Sequence, residues 1–292
     1  MFHHRRRLWL HRCRRPSQHM GSGCNSVDCP RLNNHDHEDD TLSCYPANWQ
    51  PAADELSGKT LLVTGAGDGI GRAVAIACAE HGAEVLLLGR TESKLEAVYD
   101  AIVATGAPEP GIIPTDLGQV NHDALCALAA ELSHSLPKLD GLIHNASILG
   151  DRKPIAQTSA ALWHEVMQIN LNASFMLTQT LLPLLTKAPA ASVVFTSSGV
   201  GRVGRAYWGA YAVSKFATEG LMQVLADELA STSQIRVNSL NPGAVNTAMR
   251  RMAYPGEQPS NNLSPEDLVD NWLFLMSDAS ANINGQALSA QA

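Results

Sequence analysis

The chain predicts an α/β fold: a single doubly wound domain whose mainly parallel, seven-stranded sheet carries helices on both faces. Three observations lead there. Short apolar runs alternate with stretches of helical period along most of the sequence. The first of those runs ends in a glycine-rich loop that opens a helix. Beyond an N-terminal segment of different character, about 240 residues remain, which suits one hydrophobic core and needs no second domain.

Taken in order, Leu61 to Val63 supplies the first strand and the alanine-rich stretch Ala73 to Glu80 the helix after it. Between them lies Thr64-Gly65-Ala66-Gly67-Asp68-Gly69-Ile70-Gly71, a phosphate cradle by its arrangement of strand, glycine loop and helix. Backbone N–H groups at a helix start point at a ligand, the helix dipole favours negative charge, and missing β-carbons let a pyrophosphate come close. The spacing G-x-G-x-x-G is not met, because Ile70 and Arg72 stand where it requires glycine; T-G-x-x-x-G-x-G is met. Val85 to Leu88 forms the second strand and runs into Gly89-Arg90-Thr91, and Gly111 to Pro114 forms the third, followed by Asp116-Leu117. Leu142 and Ile143 form the fourth, closed by His144-Asn145-Ala146-Ser147. Strands starting at Val193 and spanning Arg236 to Leu240 come next, the latter ending in Asn241-Pro242-Gly243, and Gln286 to Leu288 is the seventh. Such runs suit a parallel sheet buried on both faces.

Chemistry is carried by Ser198, Tyr211 and Lys215. A phenol titrates near pH ~10, so a tyrosine that moves protons at neutral pH needs a cation beside it. On a helix, Tyr211 and Lys215 at i and i+4 share a face, which lets an ammonium approach the phenol.

With that triple and the glycine loop, the chain resembles the short-chain dehydrogenase/reductase family from about Trp49 to the C-terminus. The resemblance implies a Rossmann-type fold and hydride transfer between a nicotinamide and a carbonyl or alcohol. It implies Tyr211 as general acid and base, Ser198 as hydrogen-bond donor to the reacting oxygen, and Lys215 as the charge that lowers the Tyr211 pKa and holds the nicotinamide ribose. Asn170, in Met167-Gln168-Ile169-Asn170, completes the family's tetrad by positioning a water that links Lys215 to solvent; the alternative is a helix amide satisfying a nearby carbonyl. Cofactor contacts are implied at Gly65, Gly67, Asp68, Gly69, Ile70, Gly71, Arg90, Asp116, Leu117, Asn145, Ala146, Pro242, Gly243, Val245 and Thr247, besides Tyr211 and Lys215. Ser147 departs from the family's usual glycine and adds a β-carbon near the cofactor. Within the family, Gly199-Val200-Gly201-Arg202 and Lys215-Phe216-Ala217-Thr218-Glu219-Gly220 are most similar to the bacterial YciK-type oxidoreductases.

Cofactor choice turns on Gly89-Arg90. An acid there would bind the ribose hydroxyls of NAD; none is present, and Arg90 suits a 2′-phosphate, so NADP(H) is favoured over NAD(H) unless Arg90 simply faces solvent. Substrate contacts are expected from Ser147 to Lys153 and from Thr247 to Pro265, the latter an irregular lid candidate. Arg202 and Arg205 either contact an acidic substrate or are solvated. The stripe Trp163, Val166, Met167, Leu171 and Phe175 has helical spacing and reads as core or subunit interface, and the family implies a homodimer or homotetramer.

Residues 1 to 48 read as a disordered N-terminal extension, and 49 to 292 as the catalytic domain. The first 50 residues hold seven arginines, no lysine and five acids, against 14 basic and 23 acidic residues in the rest. The acidic domain argues against nucleic acid as its partner. No run approaches the ~20 apolar residues of a membrane span. The arginine-rich start reads as a disordered leader, an organelle transit peptide or a basic interaction arm. Cys13, Cys24, Cys29 and Cys44 lack paired metal-ligand spacing, so no metal site is expected. Cys78 and Cys126 lie on apolar helix faces and read as core packing in a reducing cytoplasm. The reading favoured overall is an NADP(H)-dependent oxidoreductase; the rival is a non-catalytic NADP(H)-binding redox sensor or regulator.

Overall fold

The computed structural model describes residues 45, 46 and 48–291. Its seven strands are β1 (Thr60–Thr64), β2 (Glu84–Gly89), β3 (Gly111–Pro114), β4 (Gly141–His144), β5 (Ser192–Thr196), β6 (Arg236–Asn241) and β7 (Ala287–Ser289). They form one sheet in the order β3-β2-β1-β4-β5-β6-β7. Every neighbouring pair runs parallel. All seven strand candidates read from the sequence are present.

Alternation within the strands sets the layers. Leu61, Val63, Val85 and Leu87 pack into one core with α1 (Gly69–Glu80), α2 (Glu92–Thr105) and α8 (Val269–Met276), where Trp272 is fully buried. Leu62, Leu86, Leu88 and Leu142 point the other way, onto α3 (His122–Ser135), α5 (Ala173–Leu185) and α6 (Gly209–Ala230). Side chains leave a strand on opposite faces in turn, so a strand apolar at every position has a core on each side. Sequence places Tyr45 in the extension, yet its ring stands 5.6 Å from Trp49 and 6.0 Å from Phe274, so packing onto the domain begins before residue 49. The leader cysteines and the other expectations for residues 1 to 44 lie outside the described residues.

One helical expectation is narrowed and another corrected. Of the stripe Trp163, Val166, Met167, Leu171 and Phe175, only Val166 is buried, and Phe175 is 46% exposed. The reason is a π-helical turn at Gln168–Asn172, between α4 (Ala160–Met167) and α5, which inserts a wider turn and rotates the inward face onto Ile169, Asn170, Ala173 and Leu177. Cys126 is not core: it is exposed on α3 beside His122, whereas Cys78 is fully buried. Among the described residues no helix is long and apolar enough to cross a membrane, and no group of three His, Cys, Asp or Glu side chains is placed to hold a metal.

Candidate active site

Strand order reverses direction between β1 and β4, and a parallel sheet opens a crevice there at the carboxyl ends of its strands. The loops after β1, β2, β3, β4, β5 and β6 all reach this crevice, whose volume is about 510 Å³. The glycine loop forms its floor. Asp68 caps α1, its side chain accepting from Gly69 N at 2.8 Å, while Lys94 on α2 donates to the other carboxylate oxygen at 2.5 Å and helps hold the Asp68 pKa below its usual value.

The glycines are required by close approach. A β-carbon on Gly71 would lie 2.3 Å from Gly65 O and 2.5 Å from Asn145 Nδ2, and Gly65 itself has φ of 68°. Asn145 is held to β1 in turn. Thr64 Oγ1, 1% exposed, accepts from Asn145 N and Ala146 N at 3.0 Å each and donates to Ile143 O at 3.3 Å. One threonine hydroxyl thus stitches the glycine loop's strand to the loop after β4. The bare, amide-lined start of α1, with Arg90 on the β2–α2 connection and Lys94 in the first turn of α2, fits a dinucleotide phosphate chain.

Of the predicted site residues, Gly65, Gly67, Asp68, Gly69 and Ile70 line the crevice, as do Arg90, Asp116, Leu117, Asn145 and Ala146. So do Ser198, Tyr211, Lys215, Pro242, Gly243, Val245 and Thr247. Gly71 lies beneath the floor, where its missing side chain makes the close packing possible. Asn170 is also outside the lining and is 3% exposed: its Oδ1 accepts from Ile148 N at 2.8 Å, and its Nδ2 donates to Ile148 O and Ser214 Oγ, each at 3.0 Å. Its side chain thus braces the loop after β4 against α6. Arg202 is corrected as well. It is half-buried and donates to Glu219, Ser289 Oγ and Leu288 O, tying β7 to α6, while Arg205 is exposed.

Both ionisable groups at the centre are buried. Burial pushes the Tyr211 phenol up to about 12, with the Ser198 hydroxyl pulling it back as a hydrogen-bond donor. Lys215 lies beside that ring. Its Nζ donates to Thr196 O at 2.7 Å and stands 5.7 Å from the centroid of the Tyr211 ring; burial pushes this ammonium down to about 8, opposed by the charge of Glu219. Both groups keep their protons at neutral pH, which leaves a protonated acid beside a cation.

Sequence reading missed part of the lining. Thr91, Lys94 and Thr115 join the phosphate end, and Trp208 packs 5.8 Å from Tyr211 and 5.9 Å from Tyr254 on the opposite side. Tyr207, with φ of 72°, turns the chain into α6 just before the buried Trp208. Expected substrate segments contribute in part: Ser147, Ile148 and Leu149 line the crevice but Asp151 to Lys153 do not, and α7 (Ala248–Ala253) with Tyr254 does but residues 255 to 265 do not. Arg152 instead lies over the rings of Trp208 and Tyr254, at 4.6 and 4.9 Å, and donates to Ala253 O, latching the two segments together.

Comparison with known proteins agrees with this geometry. The short chain dehydrogenase family profile matches residues 59–258. The uncharacterised oxidoreductase YciK of Escherichia coli K12 is 48% identical over 244 residues, covering 84% of this chain and 96% of its own. A short chain dehydrogenase structure from Pseudomonas syringae is 53% identical with a TM-score of 0.82, over 84% of this chain and 99% of its own. One from Shigella flexneri, complexed with NADP, is 48% identical with a TM-score of 0.81, over 82% and 100%. The chain described here belongs to the short chain dehydrogenase family, with YciK-type bacterial oxidoreductases among its relatives.

Proposed function

We propose that the chain is an NADP(H)-dependent oxidoreductase that reduces a small carbonyl compound, or oxidises the matching alcohol, with Tyr211 as the proton donor and acceptor. The observation that carries this reading is convergence: Tyr211, Ser198 and Lys215 line the same crevice as the glycine loop and Arg90. The NADP held by the Shigella flexneri relative supports the cofactor assignment, as does the absence of an acid at Gly89-Arg90.

The bound nicotinamide supplies or accepts the hydride at the carbonyl carbon. In reduction, Tyr211 gives its phenolic proton to the oxygen as the C=O double bond is lost, so that one C–H and one O–H bond form. Ser198 donates a hydrogen bond to that oxygen and orients it. Lys215 keeps a positive charge against the Tyr211 ring, which stabilises the phenolate left behind. Beyond Tyr211 the wall is Leu149, Trp208, Met249, Met252, Ala253 and Tyr254, which suits an apolar body on the substrate. The rival reading, a binding protein without turnover, gains no support, and Ser198, Tyr211 and Lys215 in the crevice lining favour turnover.

Exposed Val213, Phe216 and Val224 share one face of α6, and Phe175 is exposed on α5; this apolar surface supports self-association as a homodimer or homotetramer.

The test is a thermal-shift titration with NADPH and NADH, followed by a panel of ketones, aldehydes, quinones and alcohols read at the nicotinamide absorbance. At 100 times Kd, a ligand adds ~2.7 kcal/mol of stability, a plainly measurable shift. A larger shift with NADH than with NADPH overturns the cofactor assignment.

A further inference from the structure

We propose that Glu219 is a positioning residue for proton transfer: its buried carboxylate, gripping Ser197 just after β5 and Ser239 within β6, keeps Lys215 in its charged form against Tyr211. This rests on the reading of Tyr211 as the proton donor.

Glu219 is 7% exposed and one helical turn after Lys215 on the same face of α6. One oxygen accepts from Ser197 Oγ at 2.5 Å, the other from Ser239 Oγ at 2.5 Å, and Arg202 Nε approaches the first at 3.4 Å. Lys215 Nζ holds Thr196 O at 2.7 Å. The two side chains therefore grip consecutive residues at the end of β5, the segment that delivers Ser198 into the crevice. A buried carboxylate is expensive unless its oxygens are satisfied, and here three donors satisfy them. A glutamine would fill the same volume and bridge the same strands. What it lacks is the charge.

That charge has an evident target. Burial drives an ammonium toward the neutral amine, and Glu219 is the group that opposes this at Lys215. The other ionisable groups around Lys215 do not replace it. Tyr211, on α6, is protonated at neutral pH. His144, on β4, is buried, stacked 4.7 Å from Phe195 and pushed down to about 3, so it is neutral. Arg202 arrives from the turn after β5 with like charge, and Arg236 on β6 is committed to Ser277 and Ser280. On α4, which also packs against α6, His164 and Glu165 face solvent.

The experiment is the pH profile of kcat/KM for carbonyl reduction by the full-length protein with NADPH, comparing wild type, Glu219→Gln, Glu219→Asp and Ser239→Ala, with Tm measured for each. Lys215 must be charged for turnover, so loss of the carboxylate lowers its pKa and moves the alkaline limb of Glu219→Gln to lower pH by about one unit, a tenfold change in the proton equilibrium. Glu219→Asp returns the limb toward its wild-type position. Ser239→Ala weakens the strap but keeps the charge, and leaves the limb in place; it carries the test should Glu219→Gln not fold, since a limb shifted by Ser239→Ala overturns the proposal. A Glu219→Gln enzyme slower at every pH with an unmoved limb also overturns it, leaving Glu219 a strut. Failure of the underlying reading looks different: Tyr211→Phe would retain turnover.

Discussion

Replacing Thr64 by valine keeps the shape of the side chain and removes its hydroxyl. In the structure that hydroxyl accepts from Asn145 N and Ala146 N at 3.0 Å each and donates to Ile143 O at 3.3 Å. Both amides lose their acceptor, and each orphaned buried donor costs about 1–3 kcal/mol. Asn145 and Ala146 are only half-buried, so water takes part of the loss and the lower end applies, giving about 2 kcal/mol for the pair. For a domain of this size that lowers Tm by roughly 4–8 °C. The loop after β4, released from β1, also loses its hold on the cradle, so the NADPH-induced thermal shift shrinks. Thr64→Ser keeps the hydroxyl and stays near wild type on both counts. Differential scanning calorimetry of the three proteins with and without NADPH is the assay; a valine variant as stable as the serine variant would refute the stitching role.

Gly71→Ala should cost more binding than stability can explain, because its β-carbon meets Gly65 O at 2.3 Å and Asn145 Nδ2 at 2.5 Å, forcing the cradle open; titration calorimetry should show NADPH affinity lost, and unchanged affinity would contradict the close-approach argument. Arg90→Ala should weaken NADPH about tenfold and leave NADH unchanged, as expected for a charge-assisted phosphate contact at an exposed site; equal loss for both would remove Arg90 from phosphate binding. Lys215→Met should abolish turnover yet raise stability at pH 7. Below its folded value of about 8 the buried ammonium carries a penalty, which fades as pH rises from there toward the unfolded 10.5, so the variant's advantage should fall over that window; a variant less stable than wild type at pH 7 would contradict the desolvation account.

Much of this was legible in the sequence, for physical reasons. Strands buried on both faces must be apolar at nearly every position, so Leu61, Val85, Val193 and Val237 announced themselves. The glycine loop was readable because a helix start packed under an asparagine amide leaves no room for a β-carbon at Gly71. What spacing cannot show is a change of helical pitch. The π turn at Gln168–Asn172 rotates Phe175 outward and Asn170 inward, defeating a pattern read at 3.6 residues per turn. Likewise, the net direction of a pKa depends on burial, which sequence does not give: spacing sets Lys215 near Tyr211, and only the fold shows that both groups are buried and that the ammonium sits at Thr196 O. Arg202 and Lys94 found their partners, Glu219 and Asp68, through tertiary contacts with no local signature.

The central claim, that Tyr211 moves the proton, is tested most directly by Tyr211→Phe assayed for NADPH binding and carbonyl reduction side by side. Loss of a general acid should lower kcat by about 10²–10⁴-fold while the NADPH-induced thermal shift stays at its wild-type value. Turnover that survives the substitution would contradict the account.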